Sequence, residues 1–382
     1  MTSAGTDDAR SRPPRLALVT GAGGFIGSHL VEHLRESGLA VRAADVPGAD
    51  LSAARGLGCE TASVSLDDPA SLAAACAGAD LVFHVAAIFD FRTPWPRLEQ
   101  VNVAGAAAMA EAAANAGAQR LVFFSSVGVY GLPAVRGIGE DGPKTPRNGY
   151  ERSKWLGEQA VMEVGRRRGL EVVAIRPTLV YGPRSRFGHA VMLALLSMRA
   201  SSRRAGPVPF VDGGPLVHSV HVRDVARAAR WVSERGEPGH AYNVADRTPM
   251  PLGDFGEALV TASGLPFERR WKHRPVVAKT LLTGARLALP VLGERWEGKL
   301  RRLWQRRVER HGLVPAIQVG LDREWIGYLS GDHCYDTAKL AALGFTWEAP
   351  DPRTGLRDTV RWYRDARWLP RPRDGSGGAA DS

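Results

Sequence analysis

The chain has 382 residues, 44% hydrophobic and 24% charged, with 50 basic against 40 acidic side chains and a formal net charge of +10. This is globular composition; it excludes wholesale disorder, and the length allows two or three domains, or one large α/β domain with an appended lobe. The three cysteines, Cys59, Cys76 and Cys334, have no metal-like spacing. They exclude a disulfide scaffold and a cysteine zinc site, no metal is expected, and they point to a reducing, cytoplasmic setting. The basic excess raises anionic partners, but arginine is spread along the whole chain and no basic run is interleaved with aromatics, so nucleic acid is not an expected partner. No run reaches the ~18 apolar residues of a membrane span. The N-terminus, acidic and without an apolar stretch, does not read as a secretory signal.

In chain order, residues 1–14 read as a disordered tail. Apolar runs then alternate with helical patterns: a strand at 16–20, a helix at 25–37, a strand at 40–45, and a helix at 69–77 opened by Asp68 as its cap. A strand at 80–84, an alanine-rich helix at 98–116, a strand at 120–125, a helix at 150–168 and a strand at 171–176 follow. Strands this apolar are covered on both faces, and the alternation gives a doubly wound parallel sheet, a Rossmann-type α/β fold. The expected sheet domain is 15–182, completed by 216–245. The expected second, smaller substrate lobe is 183–215 and 246–370, mostly helical over 275–310 around a break at Pro290, before a second tail at 371–382.

The first strand runs into TGAGGFIG at 20–27, with Gly21, Gly24 and Gly27 in GxxGxxG spacing. Between a strand and a helix these glycines allow a tight turn, a close backbone approach to a pyrophosphate and close helix packing. The helix N-terminus then faces the phosphates. Asp45, closing the second strand, can accept hydrogen bonds from both ribose hydroxyls of NAD and would repel the 2′-phosphate of NADP; its plain alternative is a loop cap before Pro47. Arg42 lies within the strand and is a poorer phosphate clamp.

Tyr150 and Lys154 stand at i and i+4 of a helix, on one face. A lysine cation beside a tyrosine favours the phenolate, so the pair can exchange a proton with a substrate hydroxyl. The plain alternative is a solvated face with Lys154 paired to Glu158. Ser126, at the carboxyl end of the preceding strand, stands where open α/β sheets bind ligands and can bond the same oxygen.

These segments, with HVAA (84–87), NVAG (102–105), FSSVGVYG (124–131), RPTLVYGP (176–183), VHVRDVA (220–226) and YNVAD (242–246), resemble the extended short-chain dehydrogenase/reductase family. The likeness is to its NAD-dependent epimerase/dehydratase and 3β-hydroxysteroid dehydrogenase group, over roughly residues 16–363. The resemblance implies NAD as cofactor, Tyr150 as acid/base, Lys154 on the nicotinamide ribose and Ser126 orienting the substrate oxygen. It also implies cofactor contacts at Phe25, Ile26, Ala86 and Pro177, an architectural role for Asn102, and a homodimer through helices 98–116 and 150–168. His84 and His221 read as packing residues. Where family members often hold an acid that reaches the adenine, this chain has Ser65, with Asp67 and Asp68 just after. Nucleotide-sugar members carry polar residues where this chain has Leu179 and Val217-His218. The small-molecule substrate is therefore expected to be a hydrophobic secondary alcohol or ketone of sterol, terpenoid or polyketide type. A nucleotide-sugar epimerase or dehydratase and a non-catalytic dinucleotide sensor are the alternatives.

Residues 294–310 hold seven basic and three acidic side chains, with Trp296, Leu300, Leu303, Trp304 and Val308 at helical spacing. Such a helix can make a peripheral membrane contact; packing of its apolar stripe on the lobe is the stronger expectation. Leu281, Leu282, Leu287, Leu289 and Leu292 just before it make the lobe apolar enough to line a pocket.

Overall fold

The computed structural model describes residues 16–132, 135–200, 206–317, 319–320 and 331–371. The two expected tails fall outside them, apart from Arg371. The chain divides into two compact units. The first comprises residues up to Val180 with Val222–Ala245 and Tyr335–Glu348; the second comprises Tyr181–His221, Asp246–Cys334 and the chain from Ala349.

The first unit is built on seven parallel strands: β1 (Leu16–Thr20), β2 (Ala40–Asp45), β3 (Glu60–Ser63), β4 (Leu81–His84), β5 (Arg120–Phe124), β6 (Glu171–Pro177) and β7 (Ala241–Val244). Their order is β3-β2-β1-β4-β5-β6-β7. The order reverses between β1 and β4, which opens a crevice at the carboxyl ends of the strands. The helices are α1 (Phe25–Glu36), α2 (Pro69–Cys76), α3 (Gly105–Asn115), α4 (Gly149–Arg168) and α5 (Val222–Arg235). Asp68 caps α2, accepting from the Ala70 N–H at 3.0 Å. Small side chains let α3 sit close to the sheet: Ala106, Met109, Ala110 and Ala113 bury against Leu18, Val82, Leu121 and Phe123.

Four features depart from the sequence reading. β3 is a polar edge strand, ETAS, with no apolar run to announce it. The turn before α3 is π-helical over Glu99–Ala104. Residues 216–221 belong to the second unit, and Tyr335–Glu348 returns to the first. There the Trp231 indole donates to Leu343 O at 3.0 Å, and the Asn243 amide to Asp336 O at 3.0 Å.

In the second unit the helices His189–Ala200, Leu252–Ala262 and Pro352–Asp365 gather around Leu193, Phe255, Leu259, Leu356 and Tyr363. Its longest element is one continuous helix, Pro275–His311. Pro290 does not break it: the ring removes one i→i−4 bond, and the turns on either side carry the helix through. Among the described residues no helix is long and apolar enough to cross a membrane.

Candidate active site

The glycine loop has the shape of a phosphate cradle. Gly21 takes φ +68°, and a Cβ there would stand 2.9 Å from the Ala86 nitrogen. A Cβ on Gly27 would collide with the Gly21 carbonyl oxygen. No side chain caps α1, so its first N–H groups are left for an anion. Asp45 turns one carboxylate oxygen to the Gly23 N–H (2.8 Å) and the other to the Val46 N–H (2.8 Å). It braces the loop and keeps further lone pairs for ribose hydroxyls. Arg42 is occupied elsewhere, on the Ala75 and Ala77 carbonyls (2.7 Å each) and Glu60 (3.0 Å). Ala86 follows β4, its N–H on Thr20 Oγ1 at 3.3 Å, and Pro177 closes β6. With α1 opening at Phe25 and Ile26, these residues fit a dinucleotide.

Ser126 and Tyr150 meet. The Tyr150 hydroxyl bonds the Ser126 side chain. Ser126 Oγ itself accepts from the Gly128 N–H at 3.0 Å, so its own hydrogen is free for the phenol oxygen. Lys154, buried one turn along α4, has its amine 4.7 Å from the Phe123 ring centre. It forms no ion pair among the described residues, which suits it to a neutral hydroxyl pair such as a ribose. Burial pushes its pKa down to about 8, against the pull of Glu158.

The expected lowering of the Tyr150 pKa by Lys154 does not prevail. Burial dominates and raises it, Ser126 opposes, and Glu151 adds to the rise. The site as folded therefore holds a protonated phenol. His84, buried with Nδ1 on Thr20 Oγ1 at 2.8 Å, is pushed down to about 3, first by burial and then by Lys154, and stays neutral.

Three supports surround the pair, and only Asn102 among them was marked by a motif. Asn102, on the π-helical turn, accepts from the Ile88 N–H (2.8 Å) and donates to Ile88 O (3.1 Å) and Ser153 Oγ (2.9 Å). It ties the loop after β4 to α4. Glu151, fully buried, accepts from the Arg147 N–H at 2.6 Å, while its own N–H bonds the Asn148 cap at 2.9 Å, fixing the first turn of α4. Phe89 and Phe91, from the loop after β4, stand edge-on to the Tyr150 ring, with centres 5.0 and 5.6 Å away. Their only advance signal was two aromatics just beyond HVAA.

Residues 17–245 match the model of the NAD dependent epimerase/dehydratase family. The chain belongs to that family. Within it, the chain is 32% identical over 352 residues to sterol demethylase protein B of Methylococcus capsulatus, covering 91% of this chain and 98% of that one. It is 33% identical over 274 residues to UDP-glucose 4-epimerase of Mycolicibacterium smegmatis, covering 68% and 85%. The crystal structure of gox2253, 26% identical, superposes with a TM-score of 0.69 over 92% of this chain and 98% of its own. The protein is thus an NAD-dependent oxidoreductase of the epimerase/dehydratase family, transferring hydride at an alcohol or ketone carbon.

Proposed function

We propose that this oxidoreductase acts on a hydrophobic cyclic alcohol or ketone, of sterol, terpenoid or polyketide type, with Ser126, Tyr150 and Lys154 as its catalytic residues. The observation that carries the reading is the pair of phenylalanines packed on the Tyr150 ring, an apolar wall beside the group that handles the proton. Leu179, half-buried where by resemblance nucleotide-sugar enzymes keep a polar group, adds to it, since a diphosphate beside an apolar side chain is left unpaired. The relative whose name refers to sterols matches over nearly the whole length of both chains, the UDP-glucose enzyme over about two thirds of this one.

NAD supplies the hydride chemistry. Its pyrophosphate would lie on Gly21–Gly27 and the α1 N-terminus, its adenosine ribose on Asp45 and its nicotinamide ribose on Lys154. Ser126 holds the substrate oxygen by donating to it. In ketone reduction Tyr150 gives its proton to that oxygen as the carbon takes the hydride. The Lys154 cation, present below about pH 8, favours the phenolate left behind. In alcohol oxidation the same proton returns.

Two features belong to the same reading. By its resemblance to the family, the protein pairs with a second copy through α3 and α4. The three free cysteines support a cytoplasmic setting.

The test is a panel of sterol and terpenoid alcohols with NAD, polyketide ketones with NADH, and UDP- and dTDP-sugars, followed at the nicotinamide absorbance and by product analysis. Apolar substrates should turn over, with affinity rising by ~25 cal/mol per Å² of apolar area buried. An epimerised nucleotide sugar, formed without added cofactor, would replace this reading with the epimerase one.

A further inference from the structure

We propose that the helix Pro275–His311 lays its outward face on an anionic membrane surface, with Trp296 and Leu303 in the interface and Lys299, Arg302, Arg306 and Arg310 on the lipid headgroups. The proposal deepens the substrate reading, because a membrane is the phase in which such a substrate dissolves.

The helix has one apolar stripe that folding uses and a second, mixed stripe of apolar and cationic side chains that it does not. Leu300, Trp304 and Val308 recur at intervals of four and turn inward; Trp304 is 4% and Val308 5% exposed, and the Trp304 indole donates to Ile317 O at 3.0 Å. Trp296 and Leu303 lie on another face and are 57% and 54% exposed. The positions 296, 299, 303, 306 and 310 follow the 3-4-3-4 spacing of one continuous stripe. Its residues are Trp, Lys, Leu, Arg and Arg, all exposed. Core packing leaves this second stripe unexplained.

Its charges point the same way. Glu297 is held by Arg301, and Glu309 accepts from Gln305 at 3.0 Å. Lys299, Arg302, Arg306 and Arg310 form no ion pair among the described residues, although Lys299 stands 5.1 Å over the Trp296 ring. The unit pairs its cations where folding needs them: Arg269 is clasped by Asp212, Asp254 and Glu257 at 2.7, 2.8 and 2.6 Å.

The same combination recurs where the helix begins. Trp271, Val276, Val277 and Leu281 are 55%, 79%, 50% and 68% exposed. Arg270, Lys272 and Arg274 beside them have no ion-pair partner among the described residues. Side chains at 279, 282 and 285–295 lie outside the described residues; the proposed surface is that of the two ends of the helix.

Isolated tryptophan and aliphatic side chains, each flanked by cations, match an amphipathic helix lying in the headgroup region. A protein partner would be expected to meet a contiguous apolar centre instead. The helix is too polar to enter further, and lies on the bilayer rather than across it.

The intact protein should co-sediment with phosphatidylcholine vesicles containing phosphatidylserine, not with phosphatidylcholine alone, and salt should release it. Each cation near such a surface contributes roughly 1 kcal/mol, or about fivefold in affinity. Arg306→Glu with Arg310→Glu should therefore weaken binding by at least ~25-fold. Trp296→Ser with Leu303→Ser should weaken it comparably at unchanged charge. A control pair, Arg357→Glu with Arg361→Glu on Pro352–Asp365, makes the same change in net charge and should leave binding nearly intact. Melting curves check folding, and if the serine pair does not fold, the exposed arginine pair decides the outcome. Failure of the wild type to bind any vesicle, or equal loss in the control pair, overturns the proposal. Turnover of apolar alcohols without vesicle binding removes this inference alone; vesicle binding without such turnover removes the substrate reading and leaves the surface standing.

Discussion

The carboxyl edge of the sheet and the outward face of the long helix are both crowded with polar side chains, and they differ in how those side chains are spent. At the sheet edge Asp45 holds two backbone N–H groups, Asn102 makes three bonds and Ser126 is fixed by Gly128. On the helix Lys299, Arg302, Arg306 and Arg310 are exposed and in no ion pair among the described residues. Pairing, rather than composition, separates them: a site that stabilises a transition state must be held in place before its ligand arrives, whereas a surface for a fluid partner has no geometry to hold.

That contrast can be broken most sharply at Tyr150. Tyr150→Phe keeps the ring and its phenylalanine wall and removes only the proton, so kcat should fall by about 10²–10⁴-fold. NAD affinity, measured by titration, should move little. Retention of most activity would remove the site from the sheet edge.

Lys154 comes next. Its pKa of about 8 lies below the ordinary 10.5, so folding disfavours its charged form. At neutral pH the buried cation costs stability in full; the cost fades as pH rises from about 8 towards 10.5. Lys154→Met should therefore raise the melting temperature at pH 7, by roughly 2–4 °C per kcal/mol relieved. The gap from wild type should narrow at pH 9, while turnover is lost. The wild-type rate of ketone reduction should decline above about pH 8, as the cation that favours the Tyr150 phenolate disappears.

A smaller effect is expected at Asp45. NAD should bind at least about tenfold, or ~1.4 kcal/mol, more tightly than NADP, and Asp45→Ala should shrink that gap. Equal affinities in the wild type would show that the carboxylate only braces the Gly23 turn. The smallest effect belongs to the helix: Arg302→Ala, with nothing to lose in the fold, should change stability by no more than about 0.5 kcal/mol, read from denaturant midpoints.

The two regions were also unequally legible. The glycine loop, Asp45 and the Tyr150–Lys154 pair could be proposed because each depends on residue type at fixed local spacing, and Ser126 because it stands at the carboxyl end of a strand. β3 escaped because an edge strand covered on little of its surface needs no apolar run, and ETAS has none. The Phe89–Phe91 wall escaped because its partner, Tyr150, lies about sixty residues away, beyond any periodicity; NVAG marks Asn102, but not its partner Ser153 in the next helix. The fate of 294–310 escaped in part for the same reason: the spacing of Trp296, Leu300, Leu303, Trp304 and Val308 marks apolar positions but does not say which of two stripes meets the core. The pKa of Tyr150 was misjudged for a different reason. A neighbouring charge is visible in sequence, but the burial that outweighs it is not.

The return of Tyr335–Glu348 to the first unit has a consequence for synthesis. Six of the seven strands are available once residue 177 has left the ribosome, and β7 by residue 244. Yet Asn243 on β7 bonds Ile138 O at 3.2 Å and Asp336 O at 3.0 Å, and the Asp336 N–H returns to Ile138 O at 3.0 Å. The polar cluster at the end of the sheet, with Tyr130 on Asn243 and Arg176 on Tyr130 (2.7 Å each), thus waits for a segment nearly a hundred residues downstream. Between residues 244 and 335 a nascent chain can hold all seven strands while the Asn243 amide still lacks its Asp336 partner, so the seam at the end of the sheet is completed only late in synthesis.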